Sequence, residues 1–130
     1  MKATDILQIY KASSFLSLLK EFLKKDNARV QLKNLNGSAD ALITSTYISE
    51  SSENHLFVVR DREEANYLQN DIENLTGKEV FLFPGSYKRP YHFEEVDNAN
   101  VLQRAEVLKQ VNENRKGSII ISFPDAFHFV

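Results

Sequence analysis

The sequence predicts an α/β fold: a mostly parallel sheet flanked by helices in three layers, α over β over α. Three observations carry this. Apolar stretches of strand length alternate along the chain with segments whose apolar residues recur at helical spacing. The later strand-like stretches are nearly continuous in Val, Ile, Leu and Phe, as in strands covered on both faces; a sheet with one wet face would alternate polar and apolar positions. The helical segments fall between the strands, where right-handed crossovers of a parallel sheet require them.

Residues 1 to 27 read as an N-terminal helical segment packing on a domain formed by residues 28 to 130. A short helical turn starts near Thr4. From 14 to 23, Phe15, Leu18, Leu19, Phe22 and Leu23 form a buried helical stripe, with Lys20, Glu21, Lys24 and Lys25 outside it. Such a stripe covers a sheet edge or face, the alternative being a membrane surface. Asp26-Asn27 offers a stop, and Arg29 to Leu35 reads as the first strand. His55 to Arg60, Glu79 to Phe83 and Ser118 to Phe123 are the other three. Between them, a helix opens at Asp61, whose carboxylate caps it while Glu64 completes a capping box. Ala65, Leu68, Ile72 and Leu75 form its inner face, and Gly77 supplies a left-handed C-terminal cap. A further helix runs from about Asn98 to Asn112, with Asp97 as cap and Val101, Leu102, Ala105, Leu108 and Val111 as its buried side.

Composition sets bounds on function. The 130 residues, 42% hydrophobic and 11% aromatic, suffice for one core. A net charge of −2 gives no global basic field, so any nucleic-acid contact is local. The chain has no cysteine, which excludes disulfides, thiolate zinc sites and cysteine nucleophiles, and is compatible with a reducing cytoplasm. Its longest apolar runs fall far short of the roughly 20 residues that cross a bilayer, and Asp5, Gln8 and Lys11 interrupt any secretory signal. A cytoplasmic protein is expected.

Ligands of an open parallel sheet gather at the carboxyl ends of strands, so the turn after the first strand, Asn34 to Ala41, is the first place to look. A working phosphate loop has the form G-x-x-x-x-G-K-[ST]. Here Asn34 and Ala39 stand where the glycines would be, Asp40 replaces the lysine and Ala41 the magnesium-binding hydroxyl, leaving only Gly37-Ser38. An anion in place of a cation at about 4 Å from a phosphate reverses an interaction of about 4 kcal/mol. The segment is an ordinary strand-to-helix turn or a decayed phosphate loop; neither holds ATP.

The succession of strand, Asn34 to Ala41 turn, helix and His55 to Arg60 strand resembles the opening of the UvrB-homology module in bacterial transcription-repair coupling factors (Mfd), where this loop is likewise degenerate. Leu82-Phe83-Pro84-Gly85-Ser86-Tyr87-Lys88-Arg89-Pro90-Tyr91 is similar to the family's strand ending in Phe-Pro, five-residue loop and Pro-Tyr. Arg104 and Leu108 match its Arg-Leu helix, and Ile119 to Ala126 its closing strand and Pro-containing turn. Residues 28 to 130 are covered. The family loop usually carries Trp and acidic residues where this chain has Ser86, Tyr87, Lys88 and Arg89. The resemblance implies a degenerate RecA-like domain, domain 1a, within a larger multidomain protein, and the stop at Phe129-Val130 directly after a Pro-Asp helix start fits a piece of one.

What the family does is then expected of the parent protein: recognising RNA polymerase stalled at lesions, releasing it with ATP and magnesium in a separate motor domain, and recruiting UvrA. The implied partners are the rest of the coupling factor, UvrA through an adjacent inserted domain, and RNA polymerase and DNA through other domains, with no membrane. This segment itself is expected to be noncatalytic and without cofactor. The related UvrB wedges a long aromatic hairpin between DNA strands; the dozen residues from Tyr87 to Asn98 are too few and too acidic for that.

Tyr87 to Phe93 mixes cations with stackable rings, so Lys88, Arg89 and Tyr91 are the local candidates for contact with nucleic acid or a partner, the alternative being that the rings pack down to close the domain. His55, His92 and His128 lack metal-ligand spacing. No G-x-S-x-G elbow occurs, and Glu94, Glu95 and Asp97 read as loop solvation. A rival reading is an independent flavodoxin-like or receiver-like module using strand-end loops near Asn36, Asp61 and Pro84, but Asp61 is its single strand-end carboxylate.

Overall fold

The computed structural model describes residues 2–85 and 94–127. Along them run α1 (Ala3–Lys11), α2 (Ser14–Leu23), α3 (Ala39–Glu50), β1 (His55–Val58), α4 (Arg62–Thr76), β2 (Phe81–Phe83), α5 (Glu94–Asn112), β3 (Ile119–Ser122) and a 3-10 turn (Pro124–Phe127). The protein is a small α/β protein with a parallel sheet. Its contacts define two compact units, Met1–Ser51 with Asp71–Gly77, and Ser52–Asn70 with Lys78–Val130. Helix α4 contributes residues to both.

The first unit is helical. Leu16 and Leu19 of α2 meet Ile43 of α3, and Tyr10, Leu32 and Tyr47 pack around them. Ser13 caps α2 by accepting the Leu16 amide at 3.3 Å, and Lys20 pairs with Glu50 of α3. The face that α2 buries differs from the expected stripe, because Phe15, Leu18, Phe22 and Leu23 are exposed. The apolar residues of α2 form one broad arc, and the contact with Ile43 uses the side of it that carries Leu16 and Leu19, leaving Phe15, Leu18 and Phe22 on the exposed side.

The expected first strand, Arg29 to Leu35, is not a strand. A left-handed asparagine precedes it, Asn27 at φ 57°, another lies within it, Asn34 at φ 62°, and no ladder partner engages it among the described residues. Only Leu32 of this stretch joins the core; Val30 and Leu35 are exposed. A strand is held by its neighbours' hydrogen bonds, and apolar content does not replace them.

Helix α4 begins and ends as its sequence predicts. Asp61 Oδ1 accepts the Glu64 amide at 2.9 Å while Glu64 Oε2 reaches back to the Arg60 amide at 2.9 Å. Ala65 and Ile72 are fully buried. Gly77 closes the helix at φ 70°, its amide donating to the Glu73 carbonyl at 2.9 Å. A side chain at that φ would be strained, which is why glycine stands there.

The second unit contains the sheet, in the order β1-β3-β2 with both pairs parallel. The register places Leu56 beside Ile120 and Phe57 beside Ile121 on one side, and Leu82 beside Ile121 on the other. As the central strand, β3 is nearly enclosed, with Ile119, Ile121 and Ser122 buried. Ser122 is buried at no loss, since its hydroxyl donates to the Phe83 carbonyl at 2.8 Å. Asn54 accepts the Ser118 amide at 3.0 Å and so fixes the approach to β3.

Burial on both faces does not extend to β1, where Leu56 is 60% and Val58 58% exposed. Continuous apolar sequence marks the central strand correctly and overstates the cover on an edge strand. Helix α5 also departs from expectation. It starts at Glu94, so Asp97 lies within it and does not cap it, and Val101, Leu102, Leu108 and Val111 are exposed whereas Asn100 and Val107 are buried. Polar contacts set this rotation: Arg104 and Asn100 face inward and find partners there, as described below.

In α3, Thr46 is buried with its hydroxyl donating to the Leu42 carbonyl at 2.6 Å, but the Ser45 hydroxyl, equally buried, has no partner among the described residues. An orphaned hydroxyl in the interior costs about 1 to 3 kcal/mol, and alanine is also the better helix former. Ser45→Ala is therefore expected to stabilise the chain by about 1 kcal/mol, read as a higher denaturant midpoint at unchanged slope; a lower midpoint would mean that the hydroxyl is bonded.

Candidate functional site

The phosphate-loop candidate folds as the junction between an irregular stretch and α3. Asn34 adopts φ 62° and Gly37 φ 62°, the Ala39 amide donates to the Asn36 carbonyl at 3.2 Å, and Ala41 is buried. Asp40 lies in the first turn of α3, where a carboxylate suits the positive end of the helix. Its Oδ1 accepts the Ala41 amide at 2.7 Å. A donor at the helix N-terminus, the kind of group that holds a phosphate in a working loop, is thus already taken by the protein's own carboxylate. Of the five residues singled out here, Asn34, Gly37 and Ser38 form the turn and Asp40 and Ala41 open the helix, without the strand that was expected before them.

A different constellation stands at the carboxyl ends of β2 and β3. Arg104 of α5 sends Nη1 to the Pro84 carbonyl at 2.7 Å and to the Ala126 carbonyl at 3.2 Å. Its guanidinium lies 4.2 Å from the centre of the Phe83 ring, and Phe83 in turn lies 6.0 Å from Phe127. One side chain therefore ties together the segment after β2, the turn after β3 and the helix between them. Gly85 completes the arrangement by clearance: a Cβ there would sit 3.3 Å from the Asp125 carbonyl oxygen. Nearby, Arg62 at the start of α4 donates to Asn100 Oδ1 at 3.1 Å, which accounts for the burial of Asn100.

This cluster joins carbonyl oxygens to a guanidinium and aromatic rings. It holds loops in place and presents no nucleophile paired with a base. Sequence reasoning singled out Arg104 only as part of a matching pattern; the readable signal was a cation set among Val101, Leu102, Ala105 and Leu108 in a helix that packs on a sheet. Lys88, Arg89 and Tyr91 lie outside the described residues, as do His92 and His128. Asp61, the strand-end carboxylate, is occupied as a helix cap and lies 3.4 Å from Arg60 Nε. Among the described residues no group of three His, Cys, Asp or Glu side chains is placed to hold a metal, and no helix is long and apolar enough to cross a membrane.

Comparison of the chain with protein-family models, with curated proteins and with solved structures finds no match.

Two outcomes test this site and its neighbourhood. Removing Arg104 leaves two carbonyls and a ring face without their cation. Arg104→Ala is expected to cost about 2 to 3 kcal/mol in urea unfolding, with lysine recovering less than half because it lacks the planar fork; a loss within error would show that the bridge is slack. His55, on β1, is held below its ordinary pKa of 6.5 first by burial, with Glu53 opposing and Lys78 reinforcing. The unfolded chain then binds the proton more readily, so the stability tied to neutral His55 is complete above pH 6.5 and declines as pH falls below it. His55→Gln should flatten that decline; an unchanged pH profile would exclude His55 as its source.

Proposed function

We propose that the chain is a noncatalytic structural and docking segment of a transcription-repair coupling factor, with a degenerate RecA-like arrangement of its sheet and helices. The observation that carries this reading is the convergence on Arg104. The resemblance rests most specifically on three separated stretches: Phe83-Pro84, the helix bearing Arg104 and Leu108, and the closing strand with its Pro-containing turn to Ala126. Arg104 bonds to Pro84 and Ala126 and covers Phe83, so residues matched independently in sequence form one physical contact. Three parallel strands with intervening helices suit the same reading.

The noncatalytic part follows from Asp40, which brings negative charge where a phosphate-gripping lysine would stand and occupies the Ala41 amide. On this reading ATP and magnesium serve a motor elsewhere in the parent protein, UvrA docks through an adjacent domain, RNA polymerase and DNA are engaged by others, and the setting is the cytoplasm. In cells that encode the chain, deleting its gene is expected to slow removal of ultraviolet lesions from transcribed strands to the rate of the opposite strand. An unchanged strand bias would reject the assignment. Saturable ATP binding by the purified chain would reject the noncatalytic role on its own.

A further inference from the structure

Ahead of α3 the chain makes a tight turn whose reactive groups are left unused. Residues Asn36 to Ala39 form it: the Ala39 amide donates to the Asn36 carbonyl at 3.2 Å, Gly37 stands at φ 62°, and Ser38 follows at φ −86° and ψ 8°. These values fit a type II′ turn with glycine at its first central position. Among the described residues neither the Gly37 amide nor the Asn36 side chain has a hydrogen-bond partner. A Cβ built at Gly37 meets nothing within 4 Å, and both residues are exposed. Of the chain's 11 asparagines, Asn36 is the one followed by glycine. Asn54 and Asn100 are held instead, their side-chain oxygens accepting from Ser118 and Arg62.

We propose that Asn36-Gly37 is a site of spontaneous modification, where the chain cyclises on itself and reopens as aspartate or isoaspartate. The Gly37 amide nitrogen attacks Cγ of Asn36. A new C–N bond forms, the Cγ–Nδ2 bond breaks, and the amide proton leaves with the side-chain nitrogen as ammonia. Water then adds to either carbonyl of the resulting succinimide. The ring opens to aspartate or, with the main chain rerouted through Cβ, to isoaspartate. The turn favours this course in two ways. Glycine has no side chain to shield its nitrogen, and its backbone freedom lets the amide swing toward Cγ. The bond that the Asn36 carbonyl accepts from Ala39 also polarises the peptide group that contains the Gly37 nitrogen, making its proton easier to lose. The products alter the start of α3. Each puts a second carboxylate close to Asp40, and isoaspartate adds a methylene to the main chain within the turn that the Ala39 amide closes.

Peptide mapping by mass spectrometry reads the conversion directly. In the folded chain at neutral pH, Asn36 is expected to pass from amide to acid about tenfold or more faster than Asn27 or Asn34, which share the stretch between α2 and α3. Isoaspartate is expected among the products, counted by enzymatic methylation of isoaspartyl carboxylates. Because the turn presents its groups, the folded chain is expected to react at least as fast as the chain unfolded in guanidinium. Gly37→Ala, which shields the nitrogen, is expected to slow the conversion about tenfold or more. Conversion of Asn27 or Asn34 ahead of Asn36 overturns the proposal, as does a folded chain slower than the unfolded one or an unchanged rate in Gly37→Ala. If Gly37→Ala fails to fold, strained as any side chain is at that φ, the comparison of folded with unfolded unsubstituted chain decides alone.

Discussion

The sheet rests on β3 being hydrogen-bonded on both sides. Four residues of this strand supply the ladder for β1 and for β2, and among the described residues no other strand touches both. A central strand in a parallel arrangement surrenders water on both edges and on most of both faces, so its side chains must be apolar or internally bonded. Ile119, Ile121 and Ser122 satisfy that condition in different ways, the last by donating a hydrogen bond from its hydroxyl to the carbonyl of a neighbouring strand. Where this enclosure ends, at the outer edge of β1, the same type of sequence is left partly in solvent.

Arg104 extends the order imposed by β3 into the loops. The carboxyl ends of parallel strands are where chains diverge, and backbone carbonyls there lose the ladder that satisfied them. A guanidinium planted on α5 gives two of them a donor and stacks on the ring that closes β2. The orientation of α5 follows: a helix whose most apolar residues face outward is held by an arginine and an asparagine facing in. Polar bonding has prevailed over apolar spacing in deciding which side of this helix is buried.

That outcome marks what could be read from the sequence. Helix α4 was legible in detail, because capping and termination are local chemistry: Asp61, Glu64 and Gly77 act on groups within a turn of themselves. The three paired strands and their parallel sense were legible from unbroken apolar sequence, although only the central β3 is enclosed as such sequence implies. The rotations of α2 and α5 were not, since a broad apolar arc in α2 and scattered apolar positions in α5 leave the choice to distant partners such as Ile43 and Phe83. Arg29 to Leu35 has the composition of a strand and lacks the neighbour that would make it one. Of the candidate sites, the carboxylate of Asp40 was visible in the residues themselves, whereas the role of Arg104 depends on carbonyls that bear no mark in the sequence.

Gly85 shows how such remote constraints disguise themselves. Within its loop it looks like a residue chosen for suppleness. Its hydrogen instead leaves room for two stretches of main chain to lie close together, since a Cβ there would come within 3.3 Å of the Asp125 carbonyl oxygen. The position is governed by closeness, and a Cβ there would require the turn at Asp125 to shift by a few tenths of an ångström against the hold of Arg104.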